Sequence, residues 1–405
     1  MSLLAGWTMD MWSPIINLFS FIPSYGWMII VFTIILKLVL SPLDIWQRKV
    51  SRDSTIKQQK LQPQIEKLQR QYGNNRELLN KKTMALYKKE GYNVVGSCFS
   101  MVINLVLTLF IFFTLFTGLS EISQEKTYKQ YQTLEEVYKT TFVQEVNKTN
   151  SSITTYAQIN ELITQKMTEK TTAARQALVD SGITEPSEAQ IKQKSYDLVL
   201  TEDYSATLTI AQEAVAQKYE EIKDSWLWVD SVWRPETYVS GVGNYNDFYG
   251  MANLGARFSG DEARINEIST EYNYITQTIQ QKYSSWNGYF ILAILAGLVT
   301  FFSFKLTNPQ PKQPKQQAPV NGNTVYGQKK DMGQQQPKSM NILKFVMPVI
   351  MIIFILMYST AFALYIVTNS IMSMLISLAC IKLFEVMDKK KAKKDAQPKV
   401  EYSRK

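Results

Sequence analysis

Five apolar runs, each close to the length that crosses a bilayer, interrupt an otherwise polar chain of 405 residues. A hydrocarbon core about 30 Å thick needs roughly 20 residues of helix. It offers no partner to an open backbone donor or acceptor, so such runs must be helical. They cover residues 25–43, 98–119, 288–305, 343–358 and 361–383. Only a few residues separate the last two, which reads as an antiparallel hairpin. The expected class is an all-α polytopic membrane protein with five transmembrane helices.

Charge orients the spans. Residues 44–97 carry 12 Lys/Arg against 5 Asp/Glu, residues 306–344 carry 6 against 1, and the tail from Lys382 carries 9 against 4. The long segment 121–287 is the reverse, with 15 against 24. Cytoplasmic loops hold the Lys/Arg excess, so the N-terminus and the acidic segment are expected outside and the C-terminus inside. Before Lys37 there is neither Lys nor Arg, which removes the basic region of a signal peptide. Residues 1–24, with Trp12 and two prolines, read as an interfacial stretch on the outer side.

Between the spans, 44–97 reads as a cytoplasmic helical hairpin. Leu61, Ile65, Leu68 and Tyr72 recur at helical spacing, Gly73-Asn74-Asn75 turns the chain, and helix resumes from Leu78. A passive linker and a docking element fit this pattern equally. Segment 120–287 reads as an extracytoplasmic helical domain, in which Leu208, Ala211, Val215, Ile222 and Trp226 keep a 3-and-4 spacing and Ser181-Gly182 with Pro186 marks a break. Its Trp226-Leu227-Trp228 cluster suits interface anchoring or core. Residues 306–342 have the Pro/Gln/Gly/Lys composition of a disordered cytoplasmic linker. The basic tail 384–405 holds Lys389, Lys390, Lys391, Lys393 and Lys394, a block that serves as a topology signal, a lipid-headgroup contact or a contact to ribosomal RNA.

Soluble-enzyme chemistry has little to work with. Without histidine there is no Ser-His-Asp triad and no HExxH site, and both cysteines, Cys98 and Cys380, lie in apolar runs. No enzyme activity, cofactor or metal is expected. The polar residues inside the spans are more informative. Thr33, Lys37 and Ser41 are four apart in the first, Ser100, Asn104 and Thr108 in the second, and Tyr365, Asn369, Ser373 and Ser377 in the fifth. Residues four apart share a helix face. Any one such stripe is ordinary helix glue, but three that converge would line a polar groove within the bilayer. Lys37 weighs most, because a cation at a helix centre costs roughly 2.5–3.5 kcal/mol on insertion scales. It lies five residues before Pro42, about 8 Å of rise, so snorkelling to the surface is the competing reading. No Asp or Glu lies in a span to pair with it.

At these residues the sequence resembles the YidC/Oxa/Alb family of membrane protein insertases. Thr33 to Lys37 running into Ser41-Pro42-Leu43 resembles the family's first span, where an arginine precedes a Pro-Leu pair. Leu61-Gln62-Pro63 through Tyr72, and Leu86 to Gly91 with Asn93, resemble its cytoplasmic hairpin. Cys98 to Asn104 is similar to the start of its second span, Trp226 to Asp230 to the aromatic motif before its third, and Leu364-Tyr365 with Asn369 to its last. The departures are Lys37 for arginine, Ser100 for proline, Asn104 for glutamine, Ile366 for tryptophan, and the long 120–287 segment. The resemblance implies five helices around a groove open to cytoplasm and lipid. It implies a role in moving nascent membrane proteins into the bilayer, with the ribosome and the Sec translocon as partners and the plasma membrane as location. A solute transporter or channel could use the same stripes, and a membrane-anchored receptor could place its business in 120–287.

Overall fold

A computed structural model describes residues 11, 14, 18–19, 21–91, 94–239, 241–307 and 338–395. The interfacial reading of 1–24, the linker between 308 and 337 and the tail beyond 395 therefore fall largely or wholly outside the described residues. Those residues form helices: α1 (Tyr25–Tyr72), α2 (Arg76–Lys89), α3 (Val94–Thr149), α4 (Tyr156–Asp180), α5 (Glu188–Leu198), α6 (Ser205–Ile222), α7 (Tyr245–Met251), α8 (Leu254–Arg257), α9 (Glu262–Lys282), α10 (Ile291–Thr307), α11 (Lys338–Met357) and α12 (Thr360–Asp395). Among them α1, α3 and α12 are long and apolar enough to cross a membrane, while α10 and α11 carry shorter apolar stretches. Only 22–33% of the residues in the three apolar windows are buried. Their outward side chains, such as Val39, Val106, Phe113 and Leu375, are half or more exposed and need an apolar surround.

The chain divides into two compact units. One comprises Met1–Met28, Gly118–Ala293 and Phe354–Ala363. Its core is set by helical spacing. Tyr131, Leu134, Tyr138, Phe142 and Val146 on α3, Leu208, Ala211, Val215 and Tyr219 on α6, and Ile268, Tyr272, Ile275 and Ile279 on α9 bury one stripe each. α4 packs on α5 and α6 on α9. Paired polar residues start two of these helices: Thr155 with Gln158, and Ser187 with Gln190, each form a reciprocal capping box. The expected break appears after Asp180, where Gly182 takes φ +97. The expected 3-and-4 run toward Trp226 ends earlier, because α6 stops at Ile222 with Lys223 extended. Trp226 instead pairs its backbone with Val229 around Leu227 at φ 48. Its ring lies against the first turn of α1, where a Cβ on Gly26 would come within 2.2 Å of the ring's Cγ.

In this unit Asn287 knots three segments. Its amide NH2 donates to the carbonyl oxygens of Ser231 at 2.8 Å and Arg234 at 3.1 Å, and its Oδ1 accepts from the Ser231 N–H at 3.1 Å. Thr360, at the start of α12, donates its hydroxyl to Arg234 O at 2.7 Å. Glu236 accepts from the N–H groups of Leu292 and Ala293, which are among the orphan donors at the start of α10.

The second unit comprises Ile29–Thr117, Ile294–Ile353 and Leu364–Lys405. Its α1 continues unbroken out of the apolar run. At 48 residues it is about 72 Å long, more than twice a hydrocarbon core. Leu61 and Ile65 are buried along the seam, and Asn75 caps α2 by accepting from Leu78 N–H at 3.0 Å. Arg52 ion-pairs with Asp388 and lies over the Phe384 ring, which ties α1 to the end of α12. Gly297 lets α10 approach α11 closely, since a Cβ there would meet Ile352 Cδ1 at 2.5 Å.

Candidate functional site

The site is built on α1. Pro42 has no N–H, so the carbonyl of Leu38 loses its helical donor. Ser41 fills the gap, its hydroxyl donating to Leu38 O at 2.8 Å, and the helix runs on through the proline. Thr33 similarly donates to Ile29 O at 2.6 Å and is buried. One turn beyond Thr33, Lys37 reaches forward along the helix while the Asp44 carboxylate tilts back toward its N-terminal end. Lys37 Nζ and Asp44 Oδ2 meet at 2.7 Å, with the side chains 15% and 18% exposed. Lys37 therefore has a counter-ion. It is the first residue after the apolar run, reached because a lysine stem bridges two helical turns.

Around this pair lies a cavity of about 90 Å³, room enough for water. Thr33, Lys37 and Asp44 line it from α1, Leu107, Ile111 and Phe112 from α3, and Tyr365 and Asn369 from α12, with Leu36, Leu40 and Leu43 completing the wall. Thus Thr33, Lys37, Tyr365 and Asn369 come together around one space. Ser41 and Ser373 are not in its lining. Ser377 is committed elsewhere, accepting from Arg48 Nη1 at 2.8 Å. The side chains of Ser100, Asn104 and Thr108 lie outside the described residues. Asp44, Leu107, Ile111 and Phe112 join the site without a polar-stripe signal, and only the position of Asp44 beside the Pro-Leu pair could have drawn attention to it.

A second cluster looks like a metal centre at first sight. Carboxylate oxygens of Glu135, Glu267 and Glu271 lie within 4.8 Å of one another. The cation is already supplied: Lys139 Nζ sits 2.8 Å from Glu135, 2.9 Å from Glu267 and 3.3 Å from Glu271. Arg264 adds contacts of 2.7 Å to Glu135 and 2.6 Å to Glu267. Burial pushes the Glu271 carboxyl up, whereas Arg264 and Lys139 outweigh burial at Glu267 and hold it down. The cluster is a structural ion network.

Comparison with known proteins bears on the stretch from α1 into α5. A family model described as 60Kd inner membrane protein matches residues 17–193. The chain is 42% identical over 100 residues to the membrane protein insertase YidC of Leptospira interrogans. This stretch is similar to the YidC insertases. Similar too are the YidC insertases of Fusobacterium nucleatum, 33% identical over 100 residues, and of Clostridium tetani, 37% over 102. Each match covers 25% of this chain, and 15%, 47% and 44% of the three YidC proteins respectively. The chain thus spans less than half the length of these YidC relatives. Among the described residues three helices are long and apolar enough to cross a membrane, in keeping with that similarity.

Proposed function

We propose that the protein is a membrane protein insertase that moves nascent membrane proteins from the cytoplasm into the bilayer. The observation that carries this is the cavity of the second unit, which holds a cation and polar side chains among helices whose other faces are apolar and exposed. In this reading α1, α3, α10, α11 and α12 make five spans, N-terminus outside and C-terminus in the cytoplasm. The groove residues are Thr33, Lys37, Ser41, Ser100, Asn104, Thr108, Tyr365, Asn369, Ser373 and Ser377. The α1–α2 hairpin and the basic tail meet the ribosome or the Sec translocon, and 120–287 stands outside.

Mechanistically, the client's hydrophilic stretch enters the groove, where it meets polar groups instead of hydrocarbon. That lowers the cost of carrying unpaired polar groups across. Lys37 attracts client carboxylates more strongly there than water would allow. The client's apolar segment moves sideways into lipid, driven by hydrophobic transfer and by the membrane potential, worth about 2.3 kcal/mol per charge per 100 mV. No nucleotide or metal enters these steps.

The test is complementation in an insertase-depleted bacterium. Lys37→Arg should insert acidic and neutral clients as the parent does, while Lys37→Ala should fail first with clients whose translocated segment is acidic, and Lys37→Glu more severely. Equal insertion by all three variants would overturn the mechanism.

A further inference from the structure

Resting on the insertase reading, we propose that Asp44 is a resident competitor for Lys37 that limits how long the groove holds acidic client segments. Lys37 and Asp44 are the two charged residues in the cavity's lining. At 2.7 Å the ammonium is already satisfied by a carboxylate of its own chain. An incoming Asp or Glu therefore exchanges one carboxylate for another, and the gain is the difference between two ion pairs rather than the whole of one.

Asp44 is well placed to lose and regain its partner. It is the first residue after the apolar run and joins the polar stretch of α1 that begins there. Being tethered seven residues from Lys37 on the same helix, it competes as an intramolecular ligand at high effective concentration. When a client carboxylate displaces it, Asp44 stays at hand to take the ammonium back. The pair thus lets the groove recognise acid without trapping it. Without Asp44, a half-buried unpaired cation among Leu36, Leu40, Leu107 and Ile111 would favour holding the client over releasing it.

Retention is measured with the full chain in nanodiscs and truncated, ribosome-bound translation intermediates of one client. The client carries either two aspartates or two asparagines in its translocated segment. Asp44→Asn should retain about fivefold more of the acidic client than the parent, as expected for removing a partly exposed competing pair, with no change for the asparagine client. Asp44→Glu, which keeps a carboxylate on the helix, should stay at the parent level. The double variant Lys37→Met/Asp44→Asn should lose the gain. Asp44→Ser replaces the Asn variant if that one fails to accumulate. Unchanged or lower retention of the acidic client by Asp44→Asn, or an equal rise for both clients, overturns the proposal while leaving the insertase reading standing. A parent that inserts and retains neither client brings down both.

Discussion

Lys139 should be the keystone of the acidic cluster in the 118–293 unit, and replacing it with methionine isolates its charge, because methionine keeps most of the stem. Of the three carboxylates, Glu135 and Glu267 keep Arg264 at 2.7 and 2.6 Å. Glu271, only 5% exposed, loses its ammonium and is left with the Tyr156 hydroxyl at 3.3 Å. Stranding a buried charge in this way costs roughly 3–5 kcal/mol. Taking the lower end, because a hydroxyl remains, a unit of this size should lose about 6–12 °C in Tm. The sign of the pH dependence follows from Glu271. Burial already pushes its carboxyl up in the folded protein, so folding takes up a proton and stability falls as pH rises through that range. Lys139→Met pushes it further up, so the penalty should be full at pH 7.5 and smaller at pH 5.5. Adding Glu271→Gln should recover most of it. The assay is thermal unfolding of the full chain in nanodiscs, followed by tryptophan emission at both pH values. An unchanged Tm at pH 7.5, or the same loss at both pH values, would refute the reasoning.

Two further substitutions probe the same unit. Gly26→Ala places a Cβ 2.2 Å from the Trp226 ring, against its root rather than a flexible end, and should cost about 1–3 kcal/mol with a change in tryptophan emission. An unaltered melt and spectrum would mean that the ring moves freely. Asn287→Ala leaves the buried Ser231 N–H and the Ser231 and Arg234 carbonyls without their amide partner. It should cost about 2–4 kcal/mol and raise hydrogen exchange over 231–236, whereas a loss of under about 0.5 kcal/mol would show that the knot is dispensable.

Much of this architecture is legible in the sequence for simple reasons. Apolar runs and 3-and-4 spacing report one helix at a time, so α1, α3 and α12 and the buried face of α6 follow from them. Gly73 to Asn75 and Ser181-Gly182 are local breaks and lie where the helices end. Interactions between helices are not written in this way. Ser377 belongs to a polar stripe yet accepts from Arg48, 329 positions away. Asp44 falls outside the apolar run, and only the reach of the Lys37 side chain brings it into the site. The end of the second apolar run at 119 is equally invisible as a boundary, because α3 continues to Thr149, its later turns buried by Tyr128, Tyr131 and Leu134 instead of lipid.

The central claim is that the cavity between α1, α3 and α12 receives the client. A photoreactive side chain at Asn369, in the lining, can be compared with one at Ile353, an apolar position 55% exposed on α11. Each is tested in the full chain against ribosome-bound nascent chains of increasing length. The account predicts that Asn369 crosslinks the client's hydrophilic segment at short lengths, and that Ile353 crosslinks lipid at every length. Crosslinks to the client from Ile353 but not from Asn369 would contradict it.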